Sequence, residues 1–232
     1  MFKSVYVGGA AAALVAAALT PATATATSPA VSSPTSSAAS AALTPDGNIT
    51  IGVVKANGSG CRPGSAAVAV SPDNTAFTVT YSEYLAQVGV GAKPTDFRKN
   101  CQLLLNVNVP QGFTYAVAQA DYRGFASLAR GAGGTQKASY YFQGMSDTDR
   151  RAHSFRGPLE GNWQVTDKTA VESLEYAPCG GKRDFNINTE LLVDKGYSDT
   201  ARSTSFMTMD STDGSFNTVY HFSWKKCPPP RR

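Results

Sequence analysis

The chain has 232 residues, a formal net charge of +4, two histidines and four cysteines. This length suits one main domain with a sizeable core. Five of the positive charges lie near the ends, at Lys3, Lys225, Lys226, Arg231 and Arg232, so the rest of the chain has a formal charge of −1. The net positive charge of the chain therefore comes mainly from its tail and does not indicate a broad face that binds nucleic acid.

The chain begins with Met-Phe-Lys and an uncharged run of 15 residues from Val5 to Leu19. One early cation, a short apolar run and small residues behind it are typical of a secretory signal peptide. The run is shorter than the ~20 residues that span a bilayer. We therefore predict a signal peptide over residues 1–26, cleavage after Ala26 and a secreted, extracellular protein. An N-terminal anchor that stays attached is the alternative.

Residues 27–47 consist almost wholly of Ala, Ser, Thr and Pro. Such a segment has few large side chains to bury and cannot offset the entropy lost on ordering, which predicts a flexible linker. Residues 48–227 then form the predicted domain, and residues 228–232 form a short basic tail of proline and arginine. No second segment approaches the length of a membrane span.

Apolar and polar residues alternate along many short segments of this domain. Cys101, Leu103, Leu105, Val107 and Val109 take one parity, and Gln102, Asn106 and Asn108 take the other. The same alternation occurs at Phe77–Tyr81, Phe185–Val193 and Tyr220–Trp224. A period of two predicts half-buried strands.

Further strands are predicted over residues 49–55, 113–122, 137–143, 162–166 and 171–176, separated by turn sequences such as "SPDN", "VPQG" and "RGAGG". The segment "SEYLAQVG" is the one predicted short helix. Many short antiparallel strands in one domain indicate an all-β fold, an antiparallel β-sandwich with jelly-roll-like connections. An immunoglobulin-type topology is the alternative.

The four cysteines, Cys61, Cys101, Cys179 and Cys227, are separated by 40, 78 and 48 residues. These spacings contain no close pair of the kind that binds zinc, and Cys101 shares its parity with leucines, where a reactive thiol would be poorly placed. In an exported protein an even number of cysteines indicates disulfides. Of the three connectivities we predict the sequential one, Cys61–Cys101 and Cys179–Cys227.

Several motifs together resemble one family. They are "NGSGCRPGS", "FTVTYSEYLAQVG", "DFRKNCQLLLNVNVPQGFTYAVAQADYRG", "YYFQG", "FRGP", "PCGG", "NINTELLV" and a closing "WKKC". The chain resembles the secreted domain-of-unknown-function family numbered 4360, found in filamentous fungi and actinobacteria, from about Asn48 to Cys227. The resemblance implies an extracellular, disulfide-bonded β domain and supplies no activity.

The sequence holds none of the compact enzyme motifs G-x-S-x-G, H-E-x-x-H or the phosphate-binding P-loop. His153 and His221 are expected to be surface residues rather than catalytic bases. A glycosidase needs only two carboxylates at a suitable separation. Asp121, Glu190, Glu172 and Glu175 are the candidates, but nothing in the sequence brings any two together.

"DSTDGS", from Asp210 to Ser215, lacks the ligand spacing of a calcium loop and predicts a hairpin turn at Asp213-Gly214. We expect no metal and no cofactor.

The candidate binding residues are four asparagines with outward parity: Asn106, Asn108, Asn186 and Asn188. Amides hydrogen-bond sugar hydroxyls, and the many tyrosines offer rings that stack on sugar faces. An ordinary solvated sheet is the alternative interpretation. We therefore expect a secreted, non-catalytic β-sandwich that binds extracellular polysaccharide or a cell-wall component. A small carboxylate-dependent hydrolase, or a secreted inhibitor or effector, is the alternative.

Overall fold

The computed structural model describes residues 44–145, 149–209 and 217–229. The predicted signal peptide, most of the predicted linker and the predicted Asp213-Gly214 turn lie outside the described residues. Within them the chain forms one 3-10 turn, Val171–Ser173, and twelve strands. The strands are β1 (Thr50–Asn57), β2 (Ala66–Val70), β3 (Ala76–Tyr81), β4 (Leu85–Gly89), β5 (Arg98–Asn108), β6 (Phe113–Leu128), β7 (Gly133–Phe142), β8 (Asp149–Arg156), β9 (Leu159–Lys168), β10 (Phe185–Asp194), β11 (Thr204–Met209) and β12 (Thr218–Lys226).

The strands form two antiparallel sheets. The first sheet has the order β1-β5-β10-β7-β8. The second has the order β2-β3-β12-β6-β11-β4, and β9 also pairs with β6. Because the chain passes repeatedly from one sheet to the other, consecutive strands often lie in different layers. The predicted all-β antiparallel sandwich is confirmed.

The core lies between the inner faces of the two sheets. Leu103 and Leu105 of β5 are fully buried, which confirms the parity predicted for that strand. Aromatic rings from both sheets fill the centre, and Phe77 stacks on Tyr220 with a centroid distance of 4.8 Å. Tyr140 of the first sheet meets Tyr220 of the second edge to face at 6.0 Å. Such ring pairs stabilise the core beyond the burial of their area.

Both disulfides pair sequentially, as predicted: Cys61 with Cys101, and Cys179 with Cys227. Their environments differ. Cys61 and Cys101 are 0% and 1% exposed, inside the core. Cys179 is exposed and Cys227 half-buried, at the surface end of β12.

Asn74, in the turn between β2 and β3, joins both ends of the domain. It has a positive φ of 57°, a conformation that asparagine tolerates better than most residues. Its side-chain amide donates to the carbonyl oxygens of Pro45 and Gly47, at 3.2 and 2.9 Å. Its own carbonyl accepts from Trp224 Nε1 of the last strand at 3.0 Å. One turn therefore holds the chain where it enters the domain and where it leaves.

Two sequence predictions of secondary structure were wrong. "SEYLAQVG" is not a helix; its second half is β4, in which Ala86 is buried and Leu85 is 39% exposed, a period of two. Residues 171–176 are not a strand. They contain the 3-10 turn, whose residues are all exposed, so no sheet face holds them.

Candidate functional site

The outer face of the first sheet carries a row of four polar side chains, three amides and one serine, that crosses four strands. Asn57 of β1 pairs with Gln102 of β5, which pairs with Asn188 of β10, which pairs with Ser139 of β7. Their chain neighbours Ala56, Leu103, Ile187 and Ala138 are buried, so the row points away from the core. We call these four residues the amide row.

The four asparagines chosen from the sequence lie on this same outer face, because β5 and β10 are hydrogen-bonded neighbours. Asn106 Nδ2 donates to Asp184 Oδ1 at 3.0 Å, and Asn108 Nδ2 donates to Asn106 Oδ1 at 3.0 Å. Asn188 is half-buried within the amide row. Asn186, however, is only 4% exposed, so its neighbours cover it and it offers little surface to a ligand.

The candidates chosen from the sequence left out three amides of this face, Asn57, Asn100 and Gln102. Asn100 and Gln102 have the same parity as Asn106 and Asn108, so the alternation could have identified them. The alternation could not identify Asn57, because a bulge between Val53 and Lys55 shifts the pairing register of β1. A bulge changes which side chains face outward and leaves little trace in the alternation.

Glu190 lies beside the amide row, where two cations hold it. Arg98 Nε donates to Glu190 Oε2 at 2.6 Å, and Lys137 Nζ donates to Oε1 at 3.0 Å. Burial pushes the pKa of Glu190 upward, but the hydrogen bonds and charges of Lys137 and Arg98 outweigh it and hold the pKa below its usual value. Glu190 is therefore a carboxylate, not a proton donor, at neutral pH.

Asp121 lies on the outer face of the second sheet. Its carboxylate accepts from Thr166 Oγ1 at 2.5 Å and from Gln119 Nε2 at 2.8 Å, and it lies 2.8 Å from His221 Nε2. Burial raises the pKa of Asp121, but these hydrogen bonds together lower it below its usual value. Asp121 and Glu190 face outward from opposite sheets, so they do not form the carboxylate pair of a glycosidase.

His153 and Asp167 form a second pair, inside the rim of the sandwich. His153 Nε2 of β8 lies 2.6 Å from Asp167 Oδ1 of β9, and Tyr140 OH donates to Oδ2 at 3.3 Å. Asp167 is 5% exposed. Both histidines are partly exposed, as expected from the sequence, but each contacts an aspartate that the sequence could not assign to it.

A pocket of about 320 Å³ lies beside Asp167, between the sheets. Tyr140 and Val117 line its inner side, and Arg151 and Glu175 its rim. The segment that follows β9, from Thr169 to Glu175, forms one wall. It stays close to β6, because Thr169 N–H donates to the Ala118 carbonyl at 3.0 Å and Ala177 N–H donates to the Tyr115 carbonyl at 2.9 Å. The Cys179–Cys227 disulfide anchors the chain just beyond this wall.

The described ranges contain no group of three or more His, Cys, Asp or Glu side chains arranged to hold a metal ion. None of the described residues belongs to a helix that could span a membrane.

Two packed antiparallel sheets fastened by one buried and one surface disulfide define a small extracellular β-sandwich protein. The chain belongs to the family described as domain of unknown function (DUF4360), whose model matches residues 47–227.

An uncharacterized secreted protein of Arthroderma benhamiae (strain ATCC MYA-4681 / CBS 112371) is 34% identical to the chain over 183 residues. The match covers 79% of this chain and 73% of that protein. That relative is a secreted protein and this chain has two disulfides, as extracellular proteins do, so the chain is extracellular.

Among solved structures, the enzymatically active domain of tailspike protein 4 of bacteriophage CBA120 is 8% identical, with a TM-score of 0.24. The match covers 78% of this chain and 19% of that one, so the chain spans about a fifth of the phage protein.

Proposed function

We propose that the protein is a non-catalytic extracellular binding protein that holds polysaccharide or cell-wall material on the outer face of its five-stranded sheet. The observation that carries this proposal is the amide row. Asn57, Gln102 and Asn188 present primary amides side by side on adjacent strands, each with donors and an acceptor for sugar hydroxyls. Neighbouring strands lie about 4.8 Å apart, so the row offers closely spaced partners to one extended chain.

The carboxylates do not support the hydrolase alternative. Glu190 is ion-paired with Arg98 and Lys137, and Asp121 is hydrogen-bonded to three side chains. Both have lowered pKa values, whereas a general acid needs a raised one. A binding role uses the outer face without requiring either residue to exchange protons.

The test is a pull-down of the secreted, oxidised protein with insoluble cellulose, chitin, peptidoglycan and immobilised polygalacturonate. The triple variant Asn57→Ala, Gln102→Ala, Asn188→Ala should lose retention on whichever polymer binds the unmodified protein. The matched control is Asn162→Ala with Gln164→Ala, which removes exposed amides from β9 of the other sheet. Surface substitutions of this kind usually change stability by less than about 0.5 kcal/mol each. Retention unaffected by the triple variant, or no retention on any polymer, would contradict the proposal.

Export by a signal peptide over residues 1–26 is part of the same proposal. Its support is the early cation, the apolar run and the small residues before Thr27. N-terminal sequencing and intact mass of the protein from culture medium should give a chain that starts at Thr27. A full-length chain found in the membrane pellet would show that the leader is an anchor.

A further inference from the structure

Charge is distributed unevenly between the two faces of the sandwich. On the outer face of the five-stranded sheet, the described side chains of the strands include five cations: Lys55, Arg98, Lys137, Arg150 and Arg156. Glu190, Asp194 and Asp184, whose carboxylate accepts from Asn106 on this face, are the acidic residues. Five cations and three acidic residues give this face a formal charge of +2.

The rest of the domain does not add to that charge. Residues 48–227 contain 18 Lys and Arg and 16 Asp and Glu, a formal charge of +2, so the part of the domain outside this face has no net formal charge. A positive face on an otherwise neutral domain attracts and orients a negatively charged partner. The sequence total does not show that the excess lies on one face.

Two exposed cations lie beside the ends of the amide row, and a third, Arg156, lies farther along β8. Lys55 lies opposite Leu104 on the β1 side, and Arg150 lies opposite Ser139, the last residue of the row. Lys55, Arg150 and Arg156 are all exposed. A ligand that crosses the strands along the row therefore meets hydroxyl-binding groups along its length and a cation near each end.

Glu190 shows which anion this spacing accommodates. Its carboxylate accepts from Arg98 through one oxygen and from Lys137 through the other. Two cationic side chains on the strands either side of β10 thus share one planar carboxylate of the protein itself. The cations that meet a ligand carboxylate are the exposed Lys55, Arg150 and Arg156. Arginine guanidinium groups form hydrogen-bonded ion pairs with planar carboxylates in other proteins too.

We propose that the ligand of this face is an acidic polysaccharide whose sugar rings bear carboxylates, a uronic acid polymer. The inference rests on the proposed function and specifies its ligand class. Each uronic acid unit supplies hydroxyls for Asn57, Gln102 and Asn188 and one carboxylate for the exposed cations. Binding is then both amide-dependent and charge-dependent.

The experiment compares polygalacturonate with its fully methyl-esterified form, which has the same backbone without the charge. The protein should bind polygalacturonate, and esterification should weaken binding at least tenfold. Raising the salt from about 20 mM to about 500 mM should weaken it as well, because the Debye length falls to a few ångströms. Equal binding of both polymers would overturn this inference while leaving the proposed function intact; binding of neither, nor of any other polysaccharide, would overturn both.

Two charge-matched variants locate the site. Lys55→Gln with Arg150→Gln should weaken polygalacturonate binding about threefold to tenfold, as expected for two exposed ion pairs. Lys93→Gln with Lys226→Gln removes the same charge from exposed positions outside this face and should leave binding nearly unchanged. Equal effects of the two variants would assign the attraction to net charge alone.

Equally tight binding of a single-stranded DNA oligonucleotide would also overturn the inference, since that ligand carries charge without uronic acid units.

Discussion

His153 Nε2 lies 2.6 Å from Asp167 Oδ1, and this contact joins the outermost strand of the five-stranded sheet to β9 of the opposite sheet. Neither strand pairs with the other through its backbone. Side chains therefore connect the two sheets at this rim, and a buried aspartate is their common partner.

Replacing Asp167 by asparagine should destabilise the fold. The change removes a 5% exposed carboxylate that contacts His153 and Tyr140, and loss of a buried hydrogen-bonding group costs about 1–3 kcal/mol. Urea unfolding followed by tryptophan fluorescence measures the effect, since Trp163 lies on the same strand. Glu160→Gln, exposed on that strand, is the control and should change stability by less than about 0.5 kcal/mol. An unfolding midpoint equal to that of the unmodified protein would show that the contact contributes nothing.

The two disulfides should differ in their accessibility to reductant. Cys179 is exposed, whereas Cys61 and Cys101 are buried in the core, and a thiolate must reach a sulfur to exchange with it. Mild reduction without denaturant, followed by alkylation and peptide mapping, should label Cys179 and Cys227 first. Labelling of Cys61 and Cys101 at the same rate would mean that the core opens as readily as the surface.

Loss of the buried disulfide should also be costly. A loop of 40 residues between Cys61 and Cys101 predicts a stabilisation of about 4 kcal/mol on the chain-entropy model. The double variant Cys61→Ala, Cys101→Ala should lower the free energy of unfolding by an amount of that order, measured in urea. A loss below about 1 kcal/mol would exclude the entropic account for this bridge.

Glu190 should make stability depend on acidity. Its folded-state pKa lies below the unfolded value of about 4.3, so its contribution is fully present above pH 4.3 and is lost as the pH falls through the lowered value. Glu190→Gln should therefore be less stable than the unmodified protein at pH 7, and the difference should shrink towards pH 2. Urea titrations at several pH values measure it. A difference that is constant over this range would mean that packing, not charge, holds Glu190.

Gly124 should tolerate no side chain. A Cβ there would lie 1.9 Å from the Thr208 carbonyl oxygen and 2.6 Å from the Trp163 ring. Overpacking of this kind costs about 1–3 kcal/mol, so Gly124→Ala should lower Tm by several degrees. Gly52→Ala is the control because nothing lies within 4 Å of its Cβ position. Equal Tm values for the two variants would refute the close packing of β6 against β11.

The sequence predicted the features that depend on local alternation. Strand β5 and the inward parity of Leu103 and Leu105 follow from a period of two, and the disulfides follow from cysteine number and export. Strand β8, "DRRAHSFR", escaped prediction because two of its inward positions hold Arg151 and His153, so the apolar signal is weak. Residues 171–176 were misread for the opposite reason: Val171 is apolar but 78% exposed.

The candidate site was only partly predictable because it depends on which strands become neighbours. Parity gave the outward direction of Asn106, Asn108 and Asn188. Parity predicted neither the pairing of β5 with β10 nor the burial of Asn186 by its neighbours. The positive charge of this face was equally hidden, since its cations come from four strands that are far apart in the sequence.

The turn at Asn74 links the two places where a pulling force would act on the domain. Tension applied before Pro45 reaches the turn through two side-chain hydrogen bonds, and tension applied beyond Trp224 reaches the same turn through a third. Load applied beyond Trp224 is also carried by the pairing of β12 with β6 and by the Cys179–Cys227 disulfide. The turn therefore connects entry and exit over a short path, in parallel with these contacts of the second sheet.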